Sequence, residues 1–226
     1  MQLKVSTTEG DVTAVAIHPG DTLAQAVYLS GAFAPRPLCS GLGKCGLCRV
    51  RFLSAPPVPT PEDDAILGRD AVSQGWRLGC RHKAVSGAEV FIPSATNQNT
   101  NKIEAGDPPP ATPEALLLAV DLGTTSLAWS ALEPTAASKG SVRTFAQGRE
   151  LNPQIGAGSD VLSRLSAAMA PGGGKRLQEV TLNALRRIVA GLPAPISRIC
   201  LAANTAMTAL TRGASVLGLA AAPYSL

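Results

Sequence analysis

Four cysteines are the residues of this chain best suited to chemistry. Three lie in one loop with C-x5-C-x2-C spacing, and the fourth follows much later: Cys39, Cys45, Cys48 and Cys80. Four thiolates can hold a [2Fe–2S] cluster, with two sulfur ligands for each iron. The loop also contains three glycines: Gly41, Gly43 and Gly46. Glycines suit this chemistry because the backbone must wrap closely around the cluster in unusual φ values and direct N–H groups at it.

Two other uses of the four cysteines are weighed against the cluster. A structural zinc site also takes four thiolates, but usually from two short CxxC-like pairs, and only Cys45 and Cys48 form such a pair here. Disulfides require an oxidising compartment, and the chain begins with a strand-like segment rather than a secretory signal. The spacing therefore favours the iron–sulfur cluster.

The elements around the cysteines can be read from apolar spacing. Leu3 and Val5 alternate with polar neighbours before Glu9-Gly10-Asp11, and Val12, Ala14 and Ala16 share a spacing of two after it, which predicts a hairpin. Asp21 is predicted to cap a helix that begins at Thr22 and ends before Gly31. Further strands are predicted at 48–53, 76–80 and 89–93, with a short helix at 60–67.

This order of elements resembles the β-grasp [2Fe–2S] ferredoxins along residues 1–94, and the first cysteine gap matches their adrenodoxin-like branch. The resemblance implies that Cys39, Cys45, Cys48 and Cys80 are the ligands and that the domain carries one electron at a time. Six basic residues surround the cysteines: Arg36, Lys44, Arg49, Arg51, Arg77 and Arg81. They would raise the reduction potential of the cluster somewhat. They could also dock an acidic partner or be merely solvated surface.

Residues 95–114 are predicted to be an Asn/Pro-rich linker, because they offer almost no apolar side chain to bury. A second domain, residues 115–226, opens with an apolar strand that ends in Asp121-Leu-Gly-Thr-Thr125. In such a turn, backbone N–H groups and hydroxyls can cradle a phosphate while the Asp holds Mg²⁺ or its water. The alternative is a tight hairpin with a capping Asp. Candidate phosphate contacts are Asp121, Gly123, Thr124 and Thr125.

The rest of this domain is predicted to contain two strands (126–132 and 142–147), two helices (159–169 and 177–190), a strand (196–202) and a short helix at Asn204. This order resembles the first half of the ribonuclease H-like ATPase fold shared by actin, sugar kinases and heat-shock chaperones. The predicted fold class is therefore α+β: a β-grasp ferredoxin domain followed by an α/β half-domain. Asn204 and Thr205 are further candidate nucleotide contacts, with helix capping as their alternative role.

The whole chain is similar to the reductive activators of corrinoid enzymes. Besides the two domains it carries the segments Asn152-Pro-Gln154, Asp160-Val-Leu-Ser-Arg164, Ala203-Asn-Thr-Ala-Met207 and Pro223-Tyr224, with Ala203 where that family usually has Gly. The resemblance implies a cobalamin-dependent methyltransferase or other corrinoid protein as partner, with an upstream electron donor. It also implies delivery of low-potential electrons that reduce Co(II) to Co(I), coupled to hydrolysis of ATP with Mg²⁺.

The same resemblance leaves part of the ATPase unaccounted for. An actin-like ATPase binds nucleotide between two halves, and the sequence contains one. We therefore expect no independent ATP turnover, and we expect exposed apolar surface that favours self-association or binding of a second ATPase half. The alternative functions are a simple ferredoxin-type electron carrier with a non-catalytic docking module, and a nucleotide-binding redox sensor.

The bulk composition excludes other classes. A net charge of +4 without a basic, aromatic-rich stripe argues against a nucleic-acid partner, and no apolar run approaches the roughly 18 residues of a membrane span. A labile cluster without a signal segment predicts a cytoplasmic protein. Cys200 is predicted to be a core thiol. His18 and His82 are isolated in the sequence, and His82 is predicted to be a surface imidazole, with cluster tuning as the alternative.

Overall fold

A computed structural model describes residues 1–93, 112–135 and 141–222. These residues form two compact units of mixed α+β structure. The first unit contains the described residues up to Pro93 together with Pro153–Ala167, and the second contains the rest. The predicted boundaries differ from this division, because they assign all of 115–226 to the second domain. Most of the predicted linker and the segment Pro223-Tyr224 lie outside the described residues.

The first unit is built on a five-stranded sheet with the order β2-β1-β5-β3-β4. Its strands are β1 (Gln2–Ser6), β2 (Val12–Ala16), β3 (Arg49–Phe52), β4 (Trp76–Leu78) and β5 (Glu89–Phe91). Strands β1 and β5 are parallel at the centre, and the other neighbours are antiparallel. Each predicted strand of this region is present, and β3, β4 and β5 are one or two residues shorter than predicted at their C-terminal ends.

The helices of the first unit are α1 (Leu23–Tyr28), α2 (Pro61–Leu67) and α3 (Arg69–Ser73), followed much later by a 3-10 helix (Pro153–Gly156) and α4 (Val161–Met169). The prediction that Asp21 caps α1 is wrong. Thr22 is the cap, and it forms a capping box with Gln25. The Asp21 carboxylate instead accepts a hydrogen bond from the His18 amide at 3.0 Å.

The core of the first unit lies between α1 and the sheet. It consists of buried side chains from every layer: Leu3, Val5, Val15, Leu23, Ala24, Ala26, Val27, Tyr28, Leu38, Cys48, Val50, Leu78, Val90 and Ile92. Cys48 belongs to this core, whereas Cys39, Cys45 and Cys80 are only half-buried. The cysteine loop therefore has one side anchored in the apolar interior and the other near the surface.

The second unit is built on a four-stranded sheet with the order β8-β7-β6-β9. Its strands are β6 (Leu116–Leu122), β7 (Ser126–Pro134), β8 (Val142–Leu151) and β9 (Ile196–Ala203). Strand β9 is parallel to β6, and the other pairs are antiparallel. The predicted succession of three strands, a helical crossover, a strand and a helix is present.

The helices of this unit are α5 (Gly173–Ala190), α6 (Thr205–Arg212) and α7 (Leu217–Ala220). Helices α5 and α6 pack together, and Gln178 donates a hydrogen bond to the Thr211 carbonyl at 3.2 Å. Every second residue of β6, from Leu116 to Leu122, is buried, whereas most of β9 is exposed. The prediction of a buried Cys200 is therefore wrong, because its strand lies at the sheet edge with its side chains open to solvent.

No helix among the described residues is both long enough and apolar enough to span a bilayer.

Candidate functional site

Antiparallel pairing brings the distant Cys80 to the cysteine loop. Cys48 immediately precedes β3 and Cys80 follows β4, and the register pairs Arg49 with Leu78. The Gly79 amide then donates a hydrogen bond to the Cys48 carbonyl at 2.9 Å. A Cβ atom on Gly79 would lie 2.9 Å from that same oxygen, so glycine is required for this close approach.

The four cysteines line one cavity of about 230 Å³. Their thiols influence one another's ionisation mainly within two pairs, Cys39 with Cys45 and Cys48 with Cys80. All five cysteines of the chain are free thiols. Across the described part of the chain, no three Cys, His, Asp or Glu side chains converge closely enough to hold a single metal ion. The arrangement is thus a set of two thiol pairs around a common space.

Hydrogen bonding sets the ionisation of the thiols. The pKa of Cys80 is lowered to about 7, first because the Cys48 side chain hydrogen bonds to it, against the opposing effect of burial. The same hydrogen bond and burial raise the pKa of Cys48. Burial alone would raise the pKa of Cys39, but hydrogen bonds from the Lys44 and Cys45 amides outweigh it and lower that pKa. Each pair therefore contains one thiol whose pKa is lowered, Cys39 in one pair and Cys80 in the other.

The loop backbone has the conformation that its glycines predict. Gly41, Gly43 and Gly46 have φ values of +83°, +70° and +68°. The Gly43 amide hydrogen bonds to the Cys80 thiol, and the Leu47 amide hydrogen bonds to Cys45. The predicted direction of N–H groups toward the sulfur atoms is present at these positions. Ser40 also has a positive φ, of 50°, the only such non-glycine residue in the described part of the chain.

Residues far along the chain complete the wall of the cysteine cavity. Ile155, Gly156 and Ala157 line it beside the cysteines. The Ser159 amide donates to Ser40 Oγ at 2.8 Å, and the two serine hydroxyls are 2.7 Å apart. Sequence reasoning singled out the motifs on either side of this segment but did not place it at the cluster loop. Local sequence patterns could not predict this contact, because residues 153–167 belong to the first unit although they follow part of the second unit in the sequence.

The six basic residues near the cysteines have different environments. Arg77 is buried and donates hydrogen bonds to three backbone carbonyls, those of Pro57, Val72 and Trp76. Arg81 forms an ion pair with Glu62. Arg49 and Arg51 lie over the Trp76 ring, with Cζ 5.8 and 5.9 Å from its centroid. Arg77 is therefore structural, and the surface available for docking is smaller than the sequence indicates.

The candidate phosphate residues form a hairpin turn between β6 and β7. The Gly123 amide donates to the Ser126 carbonyl at 2.9 Å, so the tight hairpin that was the alternative interpretation is present. Asn152 donates through its own amide to the Thr125 carbonyl and through Nδ2 to the Gly123 carbonyl, at 2.8 and 2.6 Å. Asn204 Nδ2 donates to Thr124 Oγ1 at 3.2 Å. The turn from Asp121 to Thr125 is therefore contacted by residues of two other motifs, Asn152 of Asn-Pro-Gln and Asn204 of Asn-Thr-Ala-Met.

Asn204 also caps helix α6, because its Oδ1 accepts a hydrogen bond from the Met207 amide at 2.9 Å. Thr205 is the exposed first residue of that helix. Asp121 is exposed and lines an open groove of about 880 Å³ along the sheet, which also includes Trp129, Arg149 and Cys200. A Cβ atom on Gly148 would lie 2.7 Å from the Trp129 ring, so this glycine makes room for the indole.

Asp63, which sequence reasoning did not single out, forms a buried contact with His82. The prediction of a surface His82 is wrong, because its ring is buried and its Nε2 lies 2.7 Å from Asp63 Oδ2. Asp63 is the third residue of α2, a position where an acidic side chain usually serves only the helix terminus. The one feature of the sequence that pointed to a role for His82 was its position two residues after Cys80.

Comparison with known proteins gives matches of different extent along the chain. Residues 116–226 match the family model described as the RACo middle region. One of the subunits of the Na⁺-translocating NADH-quinone reductase of Chlamydia caviae is 30% identical over 80 residues, which are 35% of this chain and 18% of that protein.

Two solved structures are also similar. The reductive activator for corrinoid, iron–sulfur protein is 17% identical with a TM-score of 0.42, and the match covers 99% of this chain and 50% of that one. The ferredoxin from Rhodopseudomonas palustris HaA2 is 23% identical with a TM-score of 0.36, and the match covers 41% of this chain and 96% of the ferredoxin. The chain thus spans about half the length of the activator and about a fifth of the reductase polypeptide.

Proposed function

We propose, from the premise that the chain is a RACo-like protein, that it is an iron–sulfur electron-transfer protein acting in the activation of a corrinoid protein. The observation that carries the proposal is the set of four thiols lining one cavity in the same chain as the RACo middle region. Thiolates are the usual ligands of iron–sulfur clusters. When bound, such a cluster supplies transfer of one electron at a time.

The cluster that fits these residues is [2Fe–2S]. Each iron of this cluster takes two protein ligands, and the thiols occur as the pairs Cys39–Cys45 and Cys48–Cys80. The loop amides would stabilise negative charge on the sulfur atoms, because charge-assisted hydrogen bonds favour the ionised form. The strand order β2-β1-β5-β3-β4 with a parallel central pair supports a β-grasp domain as the holder of the site. A reducing, cytoplasmic location suits a thiol-ligated site of this kind.

Iron and sulfide analysis tests the cluster directly. After anaerobic reconstitution with iron and sulfide, we expect about two of each per chain and an EPR signal from the one-electron-reduced form. Stable incorporation of the cluster should be abolished by a serine substitution at any of the four proposed ligands, Cys39, Cys45, Cys48 or Cys80. The matched variant Cys200→Ser should incorporate the cluster normally. A protein that retains zinc and binds no sulfide would contradict the proposal.

The second unit is proposed to bind the phosphates of ATP at the turn from Asp121 to Thr125. Support comes from the convergence of Gly123, Thr124, Asn152 and Asn204 at this turn, and from the exposed Asp121 carboxylate, which can hold Mg²⁺ or its water. The sheet order and the crossover into β9 support an actin-like half-domain. ATP would act by favouring the state of the complex in which Co(II) is more easily reduced to Co(I).

A corrinoid protein held as Co(II) provides the functional test. With a chemical reductant as upstream donor, we expect the chain to accelerate formation of Co(I), followed by its absorbance, and Mg-ATP to increase the yield. Asp121→Ala should remove the effect of ATP and leave the cluster spectrum intact. If the rate and yield of Co(I) formation change neither with ATP nor with Asp121→Ala, the simple electron carrier with a non-catalytic docking module is the better description.

The open groove of the second unit supports the predicted self-association or binding of a second ATPase half. Leu201 of the edge strand β9 lines this groove, and Ile199 on the same strand is also an exposed apolar side chain. Light scattering over a range of concentrations tests this part. A rising average mass is expected, and a single monomeric mass at high concentration would contradict it.

A further inference from the structure

One buried carboxylate is hydrogen bonded to residues on both sides of Cys80. Asp63 Oδ1 accepts a hydrogen bond from the Leu78 amide at 2.7 Å. Asp63 Oδ2 lies 2.7 Å from His82 Nε2, whose N–H it can accept. Leu78 and His82 are two residues before and two residues after Cys80. The side chain of Asp63 is fully buried and that of His82 is 7% exposed, so water does not compete for these bonds.

Helix α2 holds the Asp63 carboxylate in place. Asp63 and Thr60 form a capping box, in which the Thr60 amide donates to Asp63 Oδ2 at 2.8 Å and the Asp63 amide donates to Thr60 Oγ1 at 3.3 Å. Thr60 Oγ1 also donates to the carboxylate at 3.1 Å. A buried carboxylate with several donors is strongly oriented, because moving it would leave these groups without partners. The start of α2 is thereby joined to the segment that carries Cys80.

The segment around Cys80 is also held by backbone bonds to α1 and β3. The Ala24 amide donates to the Gly79 carbonyl at 3.0 Å, the Leu23 amide to the His82 carbonyl at 2.9 Å, and Gly79 to Cys48. These bonds attach the segment to the sheet and α1. Asp63 attaches it to α2, and this is a contact that a side-chain substitution can remove.

We propose that Asp63 and His82 are positioning residues that hold the thiol of Cys80 where it can pair with that of Cys48. The inference rests on the proposed iron–sulfur function and adds to it the residues that orient the single ligand outside the cysteine loop. Cys39, Cys45 and Cys48 share one short loop whose backbone orients them together. Cys80 comes from another part of the chain, so its position depends on contacts of its own. Residues that orient metal ligands typically change metal affinity 10–100-fold when replaced.

The test compares two adjacent aspartates. Asp63→Asn keeps the size of the side chain but replaces one accepting oxygen by a donor, whereas Asp64→Asn changes an exposed neighbour in the same helix. In the reconstituted full chain, we expect Asp63→Asn to release iron to a chelator about 10–100-fold faster than wild type. We also expect it to alter the EPR g-values and visible circular dichroism of the cluster. Asp64→Asn should match wild type in all three measurements.

A second pair of variants separates positioning from general stability. His82→Gln retains a donor that can reach Asp63 and should restore most of the wild-type spectrum, whereas His82→Ala should behave like Asp63→Asn. Denaturant unfolding of the cluster-free variants gives their stability independently, and the His82 variants decide the question if Asp63→Asn does not fold.

Three results would overturn the inference. The first is a rate of iron release from Asp63→Asn that equals the rate from Asp64→Asn. Unchanged spectra with faster release, in proportion to lost stability, would show a merely structural role. Absence of a cluster in the wild-type chain would remove the proposed function itself, which the iron and sulfide analysis detects beforehand.

Discussion

Asn152 donates a hydrogen bond through Nδ2 to the carbonyl of Gly123 at 2.6 Å, joining two motifs that are far apart in the sequence. Asn152 is fully buried, and its Nδ2 also lies 3.5 Å from the sulfur of Met207. The turn proposed to bind phosphate is therefore shaped by an amide side chain rather than by its own residues alone. This arrangement makes Asn152 a test of how rigid the turn must be.

Asn152→Ala should lower the free energy of unfolding by about 1–3 kcal/mol, because the partly buried carbonyl of Gly123 loses its partner. Denaturant unfolding measures this change. Asn183→Ala is the matched control, since Asn183 is on the surface of α5 and its Oδ1 accepts a hydrogen bond from the exposed Arg186. Equal stability of the two variants would show that the Asn152 bonds contribute little.

Asn204 has two contacts that substitution can separate. Asn204→Ala removes both the cap of α6 and the bond to Thr124, and should destabilise the protein by about 0.5–2 kcal/mol. Asn204→Asp keeps an oxygen for the Met207 amide but loses the Nδ2 donor to Thr124. We expect Asn204→Asp to recover most of the stability and to bind ATP less well than wild type, measured by calorimetry. Normal ATP binding by Asn204→Asp would assign the residue to capping alone.

Gly79→Ala should be severely disruptive to the cysteine cavity. The added Cβ would lie 2.9 Å from the Cys48 carbonyl and 3.2 Å from the Ala24 amide, both backbone atoms that cannot move independently. Overpacking of this kind costs about 1–3 kcal/mol. We expect lower thermal stability and loss of cluster incorporation. Gly87→Ala is the control for adding a methyl group where a Cβ meets no atom within 4 Å, although its φ of +80° carries some strain of its own; similar incorporation by the two variants would contradict the prediction.

Glu150 should make stability depend on pH. Burial raises the pKa of its carboxyl above the ordinary 4.5, against the opposing effect of Arg187. The folded protein then holds a proton that the unfolded chain has released, so the free energy of unfolding falls as pH rises from near 4.5 through the folded pKa. When the free energy of unfolding is measured across this pH range, it should change less with pH in Glu150→Gln than in wild type. Glu179→Gln, on the exposed side of α5, should keep the wild-type slope.

Cys200 should be the one readily modified thiol of the cluster-loaded protein, because it is exposed on β9 while the other four are proposed ligands. A thiol reagent should consume one equivalent in the loaded native protein and none in Cys200→Ser. Removal of the cluster should make more thiols reactive. A loaded wild-type protein that consumes no reagent would contradict the exposure of this strand.

Much of the fold follows from local patterns. The hairpin, the capped α2, the amphipathic α5 and the strand ending at Asp121 are all predictable, because apolar periodicity and turn residues act over a few positions. Errors arise where a neighbour in space competes with a local signal. Thr22 displaces Asp21 as the cap of α1 because Gln25 completes a capping box, and Asp21 is occupied by the His18 amide.

The sequence by itself determined which residues are candidates for chemistry: four thiols with cluster spacing, glycines that permit the loop, and a strand that runs into Asp-x-Gly-Thr-Thr. Side-chain identity and short-range spacing are sufficient for such conclusions, since they are set by covalent connectivity. Only the tertiary structure decided that His82 is buried against Asp63, that Cys200 is exposed, and that Asn152 meets Gly123. These outcomes depend on strand register and on which sheet face is covered, and both are set by long-range packing that no local pattern encodes.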